Sequence, residues 1–394
     1  MIKRRIIYPI VWCLISVVAY TSCVSHKKIS KKSLRIFSKD SITKRAHIGI
    51  AVWNLADQQY ILQYHSDRYF VPASNVKIAT LYTALKYLPD SLPSFDFFKS
   101  QDTLFLLPKG DPSFLNTDFP NQPAVDFLKK ENKPVVILPV KWETEIFGKG
   151  WAWDDYRSAY MPEKSPMPVY KKNTIEKLAG SEIIFPSLQN KYDSAANVLS
   201  NILDAPVLIS NNVRSFNEKA LTCYTASRDS VCKKMMFDSD NLIAEQLLLM
   251  TSNMLSGSMH ETKPIELLLS DNTNQFPQKP VWVDGSGLSR YNLFTPEDMI
   301  FLLQKIEKEF GSTKVEAIFP TGNKGTLKGY YDDKAGFIYA KTGTLSGQLS
   351  LSGYLTTKKK TPLIFSIMIN NHTGKSSEVR EKIAKFIDVI WSNY

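Results

Sequence analysis

The sequence predicts an α/β protein whose main domain is interrupted by a β-rich insert. Three observations favour this fold class. Two strand-like runs, 46–55 and 59–70, lead into a helical pattern that begins at Ser74. Residues 91–213 contain many Pro, Asp and aromatic residues and only short strand-like runs. Strand-like runs then return near the C-terminus, and a helical pattern over 377–391 follows them.

The individual elements follow from the spacing of apolar residues. Only Ala56 to Gln58 separate the first two runs, so these runs predict a hairpin. Apolar residues then recur at intervals of three and four up to Leu88, which predicts a buried amphipathic helix that ends before Pro89. Helical patterning resumes from Asn217. Short strands are predicted at 103–107, 134–138 and 182–185, and longer strands at 336–342, 349–355 and 362–370.

Length and charge limit the class of protein. At 394 residues, with 43% hydrophobic and 22% charged residues, the chain is an ordinary globular protein with room for more than one domain. The net charge of +11 could suggest nucleic-acid binding, but residues 1–40 carry +8 of it. Because the remaining body is nearly balanced, no nucleic-acid partner is expected.

The N-terminus reads as an export signal over residues 1–23. Lys3 to Arg5 form a positive segment, 6–19 an apolar stretch, and small residues then end at Cys23. The pattern resembles a bacterial lipoprotein signal, in which this cysteine is lipidated, although Tyr20 replaces the usual aliphatic residue. An ordinary cleaved signal and an uncleaved anchor are the alternatives.

Residues 24–40 read as a basic tether that follows the predicted anchor. A lipid on Cys23 and this tether would hold the body outside the inner membrane, in the bacterial periplasm. An oxidising compartment permits a disulfide between Cys223 and Cys232, and two buried thiols are the alternative. The five histidines show no metal-ligand spacing, so neither a metal nor another cofactor is expected.

The first chemical pattern is Ser74 with Lys77. Three residues make about one helical turn, which brings the lysine amine next to the serine hydroxyl. A desolvated lysine can take the proton from a serine and so activate it as a nucleophile. The spacing alone is not specific, because Ser25/Lys28, Ser41/Lys44 and Ser230/Lys233 share it. The predicted helix and two further patterns distinguish Ser74.

The second pattern is Ser239 and Asn241, which precede an apolar helical run, 242–250. A turn at this point would direct both side chains into a cleft, where the hydroxyl could pass a proton and the amide could hold Lys77 and a substrate carbonyl. A turn that only caps the following helix is the alternative. The same spacing occurs at Ser210/Asn212 and Ser215/Asn217.

The third pattern is Lys341, Thr342, Gly343 and Thr344, at the end of a strand-like run. Gly343 would let a substrate backbone approach, so that an extended peptide could pair along this edge. The lysine and the threonine hydroxyls could then hold an anionic end group. A solvated turn is the alternative reading of this pattern in isolation.

Further stretches carry a family resemblance, and they are Gly110 to Ser113, Gly150 to Asp155, Asp284 to Asn292, Gly325 to Leu327 and Phe365 to Asn371. Together with the three patterns, they resemble the penicillin-recognising serine acyl-enzymes. More narrowly, the chain is similar to the class C low-molecular-mass penicillin-binding proteins, which are D-alanyl-D-alanine carboxypeptidases and endopeptidases. The resemblance extends from about residue 45 to the C-terminus.

The resemblance implies a transpeptidase/β-lactamase-like fold, with an antiparallel sheet flanked by helices. The catalytic domain would comprise 41–90 and 214–394, with the insert domain at 91–213. Many relatives carry a further domain within this insert. The interval from Lys77 to Ser239 is shorter here, so that extra domain is expected to be absent.

The resemblance also implies roles for individual residues. Ser74 would be the nucleophile and Lys77 its base, while Ser239 and Asn241 would relay the proton and orient the substrate. Lys341, Thr342 and Thr344 would bind the terminal carboxylate of D-alanyl-D-alanine, and the backbone amides of Ser74 and Thr344 would form the oxyanion hole. Electrostatics adds one expectation, that the cation of Lys341 lowers the pKa of Lys77.

The implied partners are peptidoglycan stem peptides and β-lactams. Asp154, Asp155 or Tyr160 would contact the amine of the stem-peptide side chain, and a structural turn packed by Trp151 and Trp153 is the alternative. A β-lactamase and a lipid-anchored wall-binding protein with a silent site remain as other functions. A Ser-His-Asp hydrolase is disfavoured because no Gly-x-Ser-x-Gly segment occurs. The oligomeric state is left open.

Overall fold

The computed structural model describes residues 32–38, 40–100, 102–169, 192–210, 220–272 and 275–394. The predicted signal peptide with Cys23, most of the predicted tether and the predicted strand 182–185 lie outside the described residues.

The helices and strands of the described residues are numbered in chain order. They are α1 (32–38), β1 (His47–Asn54), β2 (Gln59–Tyr64), α2 (Lys77–Tyr87), β3 (Ser91–Lys99), β4 (Leu104–Pro108), α3 (Pro123–Glu131), β5 (Val135–Ile137), β6 (Lys141–Trp142), α4 (Asp193–Leu203), β7 (Val207–Ile209), β8 (Leu221–Ser227), α5 (Arg228–Asp238), α6 (Asn241–Ser256), β9 (Ser258–Met259), α7 (Thr262–Asn272), α8 (Pro296–Phe310), α9 (Ser312–Ile318), β10 (Ile338–Leu345), β11 (Gln348–Thr356), β12 (Pro362–Asn370) and α10 (Ser376–Asn393). Short 3₁₀ turns occur at Ala73–Val76, Trp153–Arg157, Gly325–Leu327 and Asp332–Lys334.

The main sheet has five strands in the order β10-β11-β12-β1-β2, and every neighbouring pair is antiparallel. Its two halves come from opposite ends of the chain, because β1 pairs with β12 along the whole strand, from His47 opposite Asn370 to Asn54 opposite Leu363. The predicted hairpin and the three C-terminal strands therefore form one sheet. Strand β10 lies at its edge.

Helices cover both faces of this sheet. On one face, α2, α5, α6, α8 and α9 enclose a core that includes Leu81, Leu247 and Leu303. On the other face, α10 packs Ile383, Phe386 and Ile387 against the strands. The five-stranded antiparallel sheet flanked by helices confirms the predicted fold class.

The predicted tether is too long at its C-terminal end. Residues 32–38 form α1, and Phe37 is buried against Phe386 of α10, with ring centroids 5.8 Å apart. The many basic residues near this position led to the prediction of a tether. The apolar side of the helix, formed by Leu34, Ile36 and Phe37, was therefore not recognised. The packed body therefore begins by residue 32.

The insert is built on a second sheet in the order β7-β5-β4-β3-β8. Its strands β4, β5 and β7 run parallel, and β3 is antiparallel to β4 and β8. Helices α3 and α4 pack against it around Leu128, Leu199 and Phe95. The insert is thus a mixed α/β unit with two helices that were not predicted.

The predicted end of the insert at residue 213 is also wrong. Strand β8 completes the second sheet, so the insert continues to Ser227, and the helix expected from Asn217 begins as α5 at Arg228. Pairing with β3 makes this stretch a strand, although its sequence was read as helical. Among the described residues, no helix is both long enough and apolar enough to cross a membrane.

Candidate active site

Ser74 lies in a short turn that packs against β10 and β11 of the main sheet, and the space beside its hydroxyl is here called the cleft. It belongs to the 3₁₀ turn Ala73–Val76, here called the Ser74 turn, and Lys77 is the first residue of α2. The predicted helix therefore begins three residues later than expected. Ala73 has φ +49°, a left-handed conformation that is uncommon for a residue with a Cβ. The turn leaves Ser74 partly accessible, whereas its neighbours Ala73 and Asn75 are buried.

The amine of Lys77 is fully buried and makes three polar contacts. Its Nζ donates to Ser74 Oγ at 3.1 Å, to Asn241 Oδ1 at 2.6 Å and to the carbonyl oxygen of Ser286 at 2.6 Å. Burial lowers the pKa of Lys77 to about 8, although the charges of Asp284, Glu245 and Asp240 oppose that change. A neutral amine beside the Ser74 hydroxyl can accept its proton.

Lys341 approaches the same cleft from β10. Its Nζ donates to Ser239 Oγ at 2.9 Å and to the carbonyl oxygen of Thr342 at 2.7 Å. Burial, and then the charge of Lys77, hold the pKa of Lys341 well below its ordinary value. The repulsion between the two amines lowers the pKa of Lys341. Because such repulsion is mutual, a charged Lys341 also disfavours the charged form of Lys77.

Ser239 lies in the turn between α5 and α6, and Asn241 is the first residue of α6. Ser239 ends α5 in a left-handed conformation with φ +58°, and Asp240 caps α6 by accepting from the backbone N–H of Ile243 at 2.9 Å. This geometry directs the Ser239 hydroxyl to Lys341 and the Asn241 amide to Lys77. The turn therefore joins the two lysines through its side chains.

The loop at 284–287 supplies contacts that the sequence reasoning missed. Glu245 accepts from the backbone N–H groups of Gly285 at 3.1 Å and Ser286 at 2.8 Å, and Asp284 accepts from that of Gly287 at 2.9 Å. These bonds hold the Ser286 carbonyl against Lys77. Burial raises the pKa of Glu245 to about 7. One feature of the sequence could have indicated these contacts. Glu245 is an acidic residue within the apolar run of α6, and a buried carboxylate needs hydrogen-bond partners.

Gly343 leaves room for close packing of the chain around Ser74. A Cβ on Gly343 would lie 2.2 Å from Ser350 Oγ and 2.6 Å from the Pro72 carbonyl oxygen. The Ser74 turn therefore lies directly against this glycine. Gly287 also packs closely, since its Cβ would lie 2.0 Å from the Ala73 carbonyl oxygen. Two backbones thus hold the Ser74 turn between β10 and the 284–287 loop.

The three acidic and aromatic candidates of the insert lie beside the cleft. Tyr160 accepts from Asn241 Nδ2 through its carbonyl oxygen at 2.8 Å, and its hydroxyl donates to Asp155 at 2.6 Å. Asp154 is exposed in the same 3₁₀ turn. The indole N–H of Trp151 donates to the Asp284 carboxylate at 2.8 Å. Trp153 is 80% exposed and does not pack against the turn.

Cys223 and Cys232 are free thiols, in β8 and α5 respectively. The two cysteines are not joined by a disulfide, and of the two buried thiols in the alternative interpretation only Cys232 is buried, because Cys223 is partly exposed. Burial raises the pKa of Cys232 to about 12, so this thiol stays protonated. Within the described part of the chain, no group of three or more His, Cys, Asp or Glu side chains could hold a metal ion.

The fold and the site together define a class of protein. A serine hydroxyl beside a buried lysine, a Ser-x-Asn turn and a Lys-Thr-Gly strand meet on an antiparallel sheet flanked by helices. This combination is that of the penicillin-recognising serine acyl-enzymes. Residues 31–205 and 226–393 match the family model of the D-Ala-D-Ala carboxypeptidase 3 (S13) family. The chain belongs to this family.

Similar proteins of known name share parts of the chain. It is 30% identical over 168 residues to the D-alanyl-D-alanine carboxypeptidase DacB of Haemophilus influenzae, which covers 39% of this chain and 34% of that protein. It is 25% identical over 252 residues to the penicillin-sensitive carboxypeptidase A of Dictyostelium discoideum, which covers 58% and 48%. The matched regions thus span about half or less of these relatives.

Solved structures share the fold over nearly the whole chain. Penicillin-binding protein 4 (dacB) of Haemophilus influenzae has a TM-score of 0.74 at 19% identity, with 91% of this chain and 99% of that chain covered. A predatory peptidoglycan endopeptidase of Bdellovibrio bacteriovorus has a TM-score of 0.61 at 16% identity, with 88% and 93% covered. At these identities the likeness establishes the fold.

Proposed function

We propose that the protein is a serine D-alanyl-D-alanine carboxypeptidase and endopeptidase that acts on peptidoglycan stem peptides and is inhibited by β-lactams. The observation that carries this proposal is the buried amine of Lys77, 3.1 Å from the Ser74 hydroxyl, with a pKa lowered to about 8. Membership of the family and the names of the similar proteins support the choice of substrate.

In the proposed mechanism, Ser74 Oγ attacks the carbonyl carbon of the penultimate D-alanine while its proton passes to Lys77. The carbonyl electron pair moves to the oxygen, where the backbone N–H groups of Ser74 and Thr344 stabilise it. The carbonyl then re-forms as the C–N bond breaks, and the proton held by Lys77 passes through the Ser239 hydroxyl to the leaving amine. Water finally hydrolyses the ester and releases the shortened stem peptide.

The edge position of β10 supports binding of an extended peptide. The start of this strand is already covered, because Ala340 donates to the carbonyl oxygen of Pro320 at 3.0 Å. Farther along this edge strand, Gly343 lies against the Ser74 turn. A stem peptide that pairs there would present its carbonyl to Ser74 and its terminal carboxylate to Thr342 and Thr344.

The direct test is intact-protein mass spectrometry of the full chain in detergent after brief exposure to benzylpenicillin. We expect one persistent drug adduct on the unsubstituted protein and none on Ser74→Ala. Ser230→Ala is the matched control, since Ser230 and Lys233 have the same spacing on α5 and lie outside the site. This variant should be labelled fully.

Other outcomes of that experiment are informative. Rapid hydrolysis of the drug without a persistent adduct would identify a β-lactamase instead. Absence of both adduct and hydrolysis would contradict the proposal and favour a wall-binding protein with a silent site. Release of D-alanine from a stem pentapeptide, compared with cleavage of a cross-linked muropeptide, then measures the balance of the two peptidase activities.

We further propose that Asp154, Asp155 or Tyr160 contacts the amine of the stem-peptide side chain. The bond from Asn241 to the Tyr160 carbonyl and the bond between Tyr160 and Asp155 support this, because they connect the segment to the cleft. Asp155→Asn should reduce the preference for amine-bearing over neutral stem peptides. Unchanged discrimination in Asp155→Asn, Asp154→Asn and Tyr160→Phe, each tested singly, would rule out the contact.

We also propose that Cys23 carries a lipid anchor and that the body works in the periplasm. The sequence pattern at residues 1–23 and the cell-wall substrate support this location. Cys23→Ser should abolish incorporation of labelled fatty acid and release the protein from membranes. Incorporation of label into that variant would contradict the assignment.

A further inference from the structure

A short row of buried polar side chains lies on the face of the main sheet that packs against α2. On this face, Tyr354, Ile364 and Met368 join the apolar core, and four polar residues lie among them. They are here called the polar row, and they are Ser350 and Ser352 on β11 and Ser366 and Asn370 on β12. Burial of a polar group costs free energy unless the group is hydrogen-bonded, so the partners of these side chains indicate what the row does.

Two members of the polar row bind the chain that leads to Ser74. Asn370 Oδ1 accepts from the backbone N–H of Val71 at 2.9 Å, and its Nδ2 donates to the Val71 carbonyl oxygen at 3.1 Å. Ser350 Oγ donates to the Pro72 carbonyl oxygen at 2.6 Å. The two residues before the Ser74 turn are thus bound to the sheet through their backbone.

The other two members bind the Ser74 turn itself, through Asn75. Asn75 Nδ2 donates to Ser352 Oγ at 2.7 Å, and the Ser352 hydroxyl donates to Ser366 Oγ at 2.8 Å. Asn75 is completely buried, and its Oδ1 has no hydrogen-bond partner among the described residues. An apolar side chain would avoid the cost of that unpaired carbonyl, so the bond to Ser352 is what an asparagine provides at this position.

The backbone of the turn explains why it needs support on both sides of Ser74. Ala73 has φ +49°, a conformation that persists in a residue with a Cβ only where the surroundings hold it. The polar row holds the backbone before Ala73 and the side chain after Ser74. Loss of the bond at Asn75 would therefore let the Ser74 hydroxyl and backbone N–H move relative to the rest of the site.

We propose that Asn75 is a positioning residue for Ser74 and that it acts through Ser352 and Ser366. It fixes the turn on β11 and β12, so that the Ser74 hydroxyl and backbone N–H stay in place for attack and for stabilisation of the oxyanion. This assignment rests on the proposed function. It adds a buried residue that is not among the polar contacts of Lys77.

The test measures acylation of the full chain in detergent over a range of benzylpenicillin concentrations. These data separate the non-covalent affinity for the drug from the first-order rate constant of acylation. Asn75→Ala should lower the rate constant about tenfold or more and leave the affinity unchanged, because attack depends steeply on the position of the hydroxyl. The pH at which the rate constant reaches half of its maximum should also stay unchanged, because the contacts of Lys77 remain.

A second variant and a control complete the experiment. Ser352→Ala should slow acylation in the same way, and it tests the assignment if Asn75→Ala does not fold. The double variant should be no slower than the slower single variant, since both substitutions remove the same bond. Thr43→Ala is the matched control, because it removes a buried hydroxyl that donates to the Phe37 carbonyl oxygen at 2.7 Å on the other face of the sheet. It should leave the rate constant unchanged.

Three results would overturn the assignment. Normal acylation by folded Asn75→Ala and Ser352→Ala would show that the bond only stabilises the fold. A shifted pH profile would show that Asn75 acts through Lys77, and equal slowing by Thr43→Ala would show a general effect of lost buried bonds. Failure of the unsubstituted protein to form any Ser74 adduct would instead overturn the proposed function, and this assignment with it.

Discussion

Lys77 shows how the surroundings of one residue set its chemistry. Its amine is removed from water, and three polar groups satisfy it: the Ser74 hydroxyl, the Asn241 amide and the Ser286 carbonyl. Desolvation disfavours the ammonium form more than the nearby carboxylates favour it, so the pKa falls to about 8. About a tenth of the amine is then neutral at pH 7, which is enough for a base.

This pKa predicts the pH dependence of acylation. Because the neutral amine is the reactive form, the acylation rate constant for benzylpenicillin should rise about tenfold per pH unit below pH 8 and level off above it. Stopped-flow measurement from about pH 6 to about pH 9 checks this. A flat profile over that range would exclude Lys77 as the base.

The same shift predicts a change in stability with pH, and its sign follows from proton binding. Between about 8 and the ordinary lysine value of 10.5, the unfolded chain holds the proton of Lys77 and the folded chain does not. The free energy of unfolding contributed by this group therefore rises with pH across that window. Lys77→Met removes the contribution, and denaturant titrations of both proteins at several pH values measure it.

At the scale of elements, contacts between backbones hold the site together. The Ser74 turn lies between β10 and the 284–287 loop, with glycines at both contacts. Glu245 on α6 holds the loop through two backbone N–H groups, so that a helix, a loop and a strand fix the turn. The Asp240 cap starts the same helix and sets the position of Asn241. Each reactive side chain thus depends on several elements.

Gly343→Ala tests this dependence on close backbone packing. The added methyl group would overlap Ser350 Oγ and the Pro72 carbonyl oxygen, so β10 must move away from the Ser74 turn. We expect acylation to slow at least about tenfold, and the free energy of unfolding to fall by about 1–3 kcal/mol. Acylation kinetics and denaturant unfolding provide the two measurements.

Ser346→Ala is the control for that experiment, because Ser346 is exposed in the hairpin that joins β10 and β11. It should change neither quantity. Normal acylation by Gly343→Ala would mean that the contact with the Ser74 turn has no role in the reaction.

At the scale of the molecule, the site is assembled from distant parts of the chain. The insert reaches the cleft through Tyr160, and Gln246 of α6 donates to the carbonyl oxygens of Gly110 at 2.9 Å and Ser165 at 2.7 Å. Helix α6 therefore joins the insert to the main domain. On the opposite side of the sheet, α1 and α10 bring the two ends of the described body together.

Phe37→Ala tests the contribution of that distant contact. Removal of a buried aromatic side chain should lower the free energy of unfolding by about 3–5 kcal/mol. Acylation of Ser74 should not change while the protein is folded, because α1 lies across the sheet from the cleft. Denaturant unfolding and adduct formation measure the two effects.

Phe337→Ala makes the same chemical change at a side chain that is 44% exposed, and it should cost much less stability. Equal losses for the two variants would show that α1 is not packed as described. Loss of acylation by folded Phe37→Ala would show coupling between the two faces of the sheet.

The sequence by itself determined what is local. The spacing of Ser74 and Lys77 within one turn, the helix that follows Asn241 and the strand that carries Lys341 all follow from near-neighbour patterns. The fold class could also be predicted from the sequence, because the order of strands and helices restricts the possible architectures. Local patterns were misleading at α1 and β8, where packing partners far along the chain decide the structure.

Only the tertiary structure decided which groups meet. Lys77 contacts residues 164 and 209 positions away, and Arg380 meets Thr344 across the sheet. The lowered pKa of Lys77 and the close packing at Gly343 both depend on such contacts. Burial and distances between remote residues arise when the elements pack, and a spacing in the sequence carries no measure of either.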